Sequence, residues 1–69
     1  MNITTERSKI LLNDMFIGIC IRAGVSKSKI DFNLSSDDSY DWLEAILSDN
    51  IGLDFRYKGD KVVPILFKL

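Results

Sequence analysis

The sequence predicts a small α+β fold in the order helix, strand, helix, strand, strand (αβαββ), with two helices packed on a three-stranded mixed sheet. Three observations support this fold class: two runs with helical spacing that follow capping residues, two segments in which apolar and polar residues alternate, and a Gly-Asp pair typical of a hairpin turn. A chain of 69 residues holds one core of modest size, so residues 1–69 are expected to form a single compact domain.

The first predicted helix follows Thr4 or Thr5, either of which can cap it, and ends at Gly24, which suits the left-handed position after a helix. Its apolar residues go most of the way round, and we therefore expect it to be covered on more than one side. A strand over residues 16–22 is the alternative, because Ile17, Ile19 and Ile21 alternate and β-branched residues favour strands.

Residues 30–34 and 53–58 alternate between apolar and polar side chains, as half-buried strands do. The helical run that follows Ser35 and Ser36 lies between them. A strand, a helix and a strand in this order predict a parallel pair joined by a right-handed crossover.

Gly59-Asp60 predicts a two-residue turn that pairs Lys58 with Lys61 and Phe55 with Pro64. In that register the missing amide of Pro64 points away from the hairpin, so the last strand is predicted to lie at an edge. Its back face is also apolar, and either the first helix or a partner, including a second copy of the chain, must cover it. That face comprises Val63, Ile65 and Phe67.

Charge is unevenly distributed along the chain, although the net charge is only −1. Residues 1–29 carry five basic and two acidic side chains, and residues 55–69 carry four and one, so each segment sums to +3. Residues 30–54 carry seven acidic side chains and no lysine or arginine, which gives −7. Such asymmetry bears on partners and association more than on fold.

Catalysis has little support in the sequence, and we expect neither an enzyme nor a cofactor or metal site. The chain has no histidine, and its one cysteine, Cys20, lies in an apolar run where a buried, unreactive thiol is expected. Asp37, Asp41 and Glu44 have helical spacing that could hold a hard cation, but a capped helix with acidic residues near its N-terminus is the simpler interpretation.

The acidic helix is nevertheless the strongest candidate for a partner-binding surface, because capping accounts for only one or two of its charges. A tryptophan, a residue common at binding hot spots, lies next to the acids and one position from the apolar stripe of Tyr40, Leu43, Ile46 and Leu47. The predicted partner-binding residues on this helix are Asp37, Asp38, Asp41, Trp42 and Glu44.

These observations predict a protein-binding module that docks on a basic protein, such as a nucleic-acid-binding enzyme, and acts as an inhibitor or regulator. A small acidic chain without catalytic residues is similar in general character to the inhibitors that phages and mobile elements carry. The alternative is a winged-helix-like DNA-binding regulator that uses Arg22, Lys27 and Lys29 with the lysines of the 58–61 hairpin.

The self-association predicted for the last strand would produce a homodimer. A reducing, cytoplasmic location is expected, since a single cysteine cannot form a disulfide within the chain. The longest apolar stretch, residues 15–21, is shorter than the roughly 20 residues that span a bilayer. We therefore expect no membrane insertion.

Overall fold

The computed structural model describes residues 4–69 and contains two α-helices and one two-stranded antiparallel sheet. The order along the chain is α1 (Thr5–Arg22), a short 3₁₀ turn (Lys27–Lys29), α2 (Ser36–Ser48), β1 (Ile51–Lys58) and β2 (Lys61–Lys68). The predicted α+β class is confirmed. The predicted three-stranded mixed sheet is wrong, because the sheet of the described chain has two strands.

Helix α1 begins and ends as its sequence predicts. The Thr4 hydroxyl accepts the backbone N–H of Arg7 at 3.1 Å, which satisfies one of the free amides of the first turn. Gly24 follows the helix with a φ of 84°, a left-handed conformation that glycine adopts without steric cost. The alternative strand over residues 16–22 is therefore wrong, since these residues lie in the helix.

Only one stripe of α1 is buried, and it has a four-residue spacing: Ser8, Leu12, Phe16 and Cys20. The expectation that α1 is covered on more than one side is therefore wrong for the isolated chain. Ile10, Leu11, Met15 and Ile21 all lie on the exposed surface of the helix. The packing of the described chain does not explain why these four positions are apolar, whereas Ile17 and Ile19 are half-buried beside the stripe.

Residues 30–34 do not form the predicted strand beside 53–58. Ile30 makes a single parallel bridge with Val62 of β2, and the Asp31 N–H donates to the Val62 carbonyl at 2.9 Å. The burial pattern nevertheless alternates as predicted, with Ile30, Phe32 and Leu34 half-buried and the residues between them exposed. The segment therefore packs its apolar side chains without forming a ladder, and it does so beside β2.

The hairpin has the predicted register, with Lys58 opposite Lys61 and Phe55 opposite Pro64. Gly59 opens the turn with a φ of 66°. A positive φ at the first of two turn residues matches the right-handed twist of a hairpin. The same register continues past the strands, where the Leu69 N–H donates to the Asn50 carbonyl at 3.2 Å.

The core lies between α1, the hairpin and the segment that joins α1 to α2. Helix α1 packs against α2, and both helices pack against β1. The buried cluster consists of Phe16, Cys20, Val25 and Val62, with Ile30, Phe32, Leu53 and Phe55 packed against it. The Phe16 and Phe32 rings lie 6.1 Å apart in a tilted arrangement, within the range of favourable aromatic pairs.

Two buried serines lie in the helices, at positions where the sequence pattern predicts no core residue. The Ser8 hydroxyl donates to the Thr4 carbonyl at 2.9 Å, and the Ser39 hydroxyl donates to the Ser35 carbonyl at 2.7 Å. Each bond joins a serine to the cap residue four positions earlier. Because both hydroxyls donate to a carbonyl of their own helix, their burial leaves no unpaired polar group.

Candidate partner-binding surface

The acidic residues of α2 lie on its exposed side. Asp37, Asp41 and Glu44 are separated by four and three residues, which places them on one face of a helix. The buried residues of α2, Ser39 and Leu43, occupy the opposite face. We call Asp37, Asp38, Asp41 and Glu44 the acidic face, and all four side chains are exposed.

Helix capping does not account for these charges. The Ser35 hydroxyl accepts the Asp38 N–H at 3.0 Å, so a serine and not a carboxylate caps α2. Asp37 and Asp38 lie in the first turn, where the helix dipole favours negative charge, but this effect fades within that turn. Asp41 and Glu44 lie beyond it.

Pairing within the helix does not account for the charges either. The α2 sequence, SDDSYDWLEAILS, contains no lysine or arginine that could form an i,i+4 ion pair. Its acidic side chains are helical neighbours of one another, and like charges at this spacing oppose each other by a few tenths of a kcal/mol per pair. Repulsion among these side chains has a small energetic cost, which the dipole of α2 offsets at Asp37 and Asp38 but not at Asp41 and Glu44.

Trp42 is half-buried, next to the acidic face. An aromatic side chain in this position presents part of its ring to solvent while the rest packs against the protein. The predicted apolar stripe holds at Leu43, which is buried, and at Tyr40 and Ile46, which are half-buried. It fails at Leu47, which is 71% exposed. Leu47 therefore contributes to the surface and little to the core.

The other predicted surface, on β2, is largely used within the chain. Val63 is only 5% exposed, and Ile65 is half-buried. Phe67 remains 40% exposed, but its ring lies over Gly52 on β1, where a Cβ atom would clash with it. An aromatic ring that covers a glycine on the neighbouring strand shields the backbone of that strand. Phe67 thus has a structural role in the hairpin.

Each edge of the hairpin has at least one outward backbone group that is occupied within the chain. In the observed register Phe55 and Val62 direct their backbone groups away from the partner strand. The Phe55 N–H donates to Asp54 Oδ1 at 2.8 Å, and the Val62 carbonyl accepts the Asp31 N–H. Pro64 has no N–H to offer on the β2 edge. Self-association through the last strand stays a prediction, and these contacts oppose it.

The structure brings the basic residues of two distant segments together. The Lys61 Nζ donates to the Ser28 carbonyl at 3.1 Å, which holds the hairpin turn beside the 3₁₀ turn. We call the exposed lysines of these two turns the basic end, and they are Lys27, Lys29, Lys58 and Lys61. Sequence reasoning grouped these residues as an alternative site, but the contact between the two turns joins residues 33 positions apart.

Cys20 has no exposed surface and lies in the core cluster. Burial raises the pKa of its thiol, and the negative charge of Asp54 raises that pKa further. A raised pKa keeps the sulfur protonated at neutral pH, whereas nucleophilic and metal-binding cysteines act as thiolates. Cys20 therefore has the properties of a core residue.

Within residues 4–69, no three histidine, cysteine, aspartate or glutamate side chains are arranged so that they could hold a metal ion. Asp37, Asp41 and Glu44 thus share a helix face without forming such a group. In the same part of the chain, neither helix has the length and apolar character needed to cross a membrane. No protein-family model matches the chain, and neither a curated protein nor a solved structure is significantly similar to it.

Proposed function

We propose that the protein is a non-enzymatic binding module whose acidic face docks on a basic surface of another protein. The observation that supports this proposal is an exposed row of four carboxylates on α2, of which the helix N-terminus favours only Asp37 and Asp38, while pairing within the helix neutralises none. Trp42 at its border supplies the kind of aromatic contact that contributes most to binding energy at protein interfaces.

A basic partner follows from electrostatic complementarity. Opposite potentials on two surfaces speed their encounter, while like charges disfavour wrong partners. A protein that normally binds nucleic acid has a basic surface of this kind, and occupation of that surface by the acidic face would inhibit or regulate it. Regulation by competition with nucleic acid is thus the mode of action that we propose.

Affinity capture with two matched variants tests the proposal. The α2-neutral variant carries Asp37→Asn, Asp41→Asn and Glu44→Gln, and the matched control carries Glu6→Gln, Asp31→Asn and Asp60→Asn. Both remove three exposed carboxylates, so both change the net charge equally. We expect the wild type and the control to capture the same basic protein from the native cell, and the α2-neutral variant to lose it. Equal capture by all three proteins would contradict the proposal.

A second function, direct nucleic acid binding, is supported by one observation. The hydrogen bond from Lys61 Nζ to the Ser28 carbonyl joins the four lysines of the basic end on one part of the surface. Clustered lysines bind phosphates by releasing counterions, so binding of this kind weakens steeply as salt rises. Helix α2, which precedes the hairpin and would be the recognition helix of a winged-helix protein, is acidic and would repel phosphates.

Fluorescence anisotropy with a labelled DNA duplex distinguishes the two functions. If the basic end binds DNA, replacement of Lys27, Lys29 and Lys58 with glutamine should weaken binding at low salt. It should also reduce the slope of log K against log salt by about 0.9 for each phosphate that the variant no longer neutralises. Lys61 is left unchanged because it anchors the hairpin turn. Absence of wild-type binding at low salt would eliminate this second function.

A further inference from the structure

The exposed side of α1 carries an apolar surface that the fold does not use. Ile10 and Ile21 are 53% and 49% exposed, and Leu11 and Met15 are also exposed. They lie away from the buried stripe formed by residues 8, 12, 16 and 20. Exposed apolar side chains on one side of a helix, bordered by charged residues, commonly mark an interaction site.

Gly18 lies in the middle of this exposed side, and nothing in the structure of the single chain requires a glycine at this position. It is inside α1, where glycine is a poorer helix former than alanine. A Cβ atom at this position would meet nothing within 4 Å. Neither the backbone conformation nor the packing of the single chain therefore requires glycine here, whereas close approach of another backbone would.

Two opposite charges flank Gly18 symmetrically. Asp14 precedes it by four residues and Arg22 follows it by four, so all three residues lie on one ridge of the helix. Both charged side chains are exposed. Neither has an oppositely charged residue three or four positions away, so helical neighbours do not neutralise them.

We propose that the protein forms a homodimer in which two α1 helices cross in antiparallel orientation at Gly18. An antiparallel pair centred on this residue places Asp14 of each chain opposite Arg22 of the other, and Met15 opposite Ile21. Because α1 ends at Arg22, the helices overlap over residues 14–22, and Ile10 and Leu11 lie outside the overlap. A parallel pair in register would instead place each charge opposite its own copy. The charges thus favour a second copy of the chain as the binding partner of α1, in antiparallel orientation.

The proposed contact is made by α1 and not by α2, so each dimer carries two copies of the acidic face. Each dimer would therefore present two acidic faces, and a partner with two basic sites would be bound more tightly than by one chain. This inference does not depend on the proposed function, since the charges and apolar residues that support it lie on a different helix.

Sedimentation equilibrium of the full chain over a range of concentrations tests the dimer. The wild type should approach twice the mass of one chain as concentration rises. Asp14→Arg and Arg22→Asp should each weaken the dimer about tenfold or more, because each places like charges opposite one another. The double variant Asp14→Arg/Arg22→Asp should restore the dimer, since the opposite charges then face each other again.

Gly18→Ala provides an independent test in which monomer and dimer change in opposite directions. Alanine should raise the thermal midpoint of dilute protein, because it favours the helix and meets no neighbour. The same Cβ should weaken the dimer, because it lies at the crossing point. The α2-neutral variant is the control and should dimerise like the wild type. A wild type that stays monomeric at the highest concentration, or a double variant that fails to restore the dimer, would overturn the proposal.

Discussion

Asn50 determines how the chain passes from α2 into the hairpin. It has a φ of 56°, in the left-handed region, and is the only residue other than glycine with a positive φ in the described part of the chain. Asparagine tolerates this conformation better than most residues. Its carbonyl also accepts the Leu69 N–H, so the same residue ends the helix and pairs with the end of β2.

The effect of a substitution at Asn50 on stability should depend on how well the new residue tolerates a positive φ. Asn50→Val should lower the free energy of unfolding by about 1–2 kcal/mol, because a β-branched residue is strained in the left-handed region. Asn50→Gly should be neutral or slightly stabilising. Urea unfolding gives these values, and Asp49→Val is the matched control, since Asp49 is an exposed neighbour with a φ of −115°. Equal changes in the free energy of unfolding for Asn50→Val and Asp49→Val would contradict the left-handed conformation of Asn50.

Ionisation of the Cys20 thiol should lower the stability of the protein as the pH rises into the alkaline range. Burial and the charge of Asp54 raise the pKa of its thiol in the folded state. The resulting stabilisation is fully present below the pKa of the unfolded thiol, about 8.5, and is lost as the pH rises through the higher folded pKa. Cys20→Ala lacks this dependence. The difference in unfolding free energy between wild type and variant should therefore shrink from pH 7 to pH 10, and a constant difference would show that the thiol does not titrate in this way.

The two helices, the hairpin and the segment 30–34 show which features of secondary structure the local sequence specifies and which it does not. The helix ends were predictable because Thr4, Ser35 and Gly24 act on amides and dihedral angles within a few residues of themselves. The hairpin register was predictable because a two-residue turn fixes it.

The wrong prediction of a strand at residues 30–34, paired with 53–58, has a physical cause. Alternation specifies which side chains are buried, and that part of the prediction holds, but it does not specify which strand the segment meets or how many hydrogen bonds it makes. The acidic face could be predicted from the spacing of its residues. Burial of Val63 within the chain is one of the two alternatives that the sequence leaves open. The contact between Lys61 and Ser28 could not be predicted, because it depends on how distant segments pack.

Hydrogen exchange distinguishes a single bridge from a third strand. The Asp31 amide donates to the Val62 carbonyl and should exchange slowly. Within the described structure the amides of residues 32–34 make no bond to the hairpin, so they should exchange quickly. Protection of residues 32–34 as strong as that of Asp31, measured residue by residue by NMR, would favour the three-stranded sheet over the observed fold.

Considered as a whole, the molecule carries its acidic, basic and exposed apolar residues on separate parts of its surface. The acidic face lies on α2, the basic end lies where the hairpin turn meets the 3₁₀ turn, and the unused apolar surface lies on α1. The hairpin edges are protected at Phe55 and Val62. Association through a helix surface is therefore better supported than association through the sheet.

The most direct test of docking through the acidic face is the association rate between the protein and its captured partner across a salt series, measured by stopped flow. Exposed charges act mainly on the rate of encounter, and salt screens them over about 10 Å at 0.1 M. We expect the wild type and the matched control to associate quickly at low salt and more slowly as salt rises. The α2-neutral variant should associate about tenfold more slowly at low salt and converge with the wild type at high salt. If the α2-neutral variant associates at the wild-type rate throughout the series, the acidic face is not the docking surface.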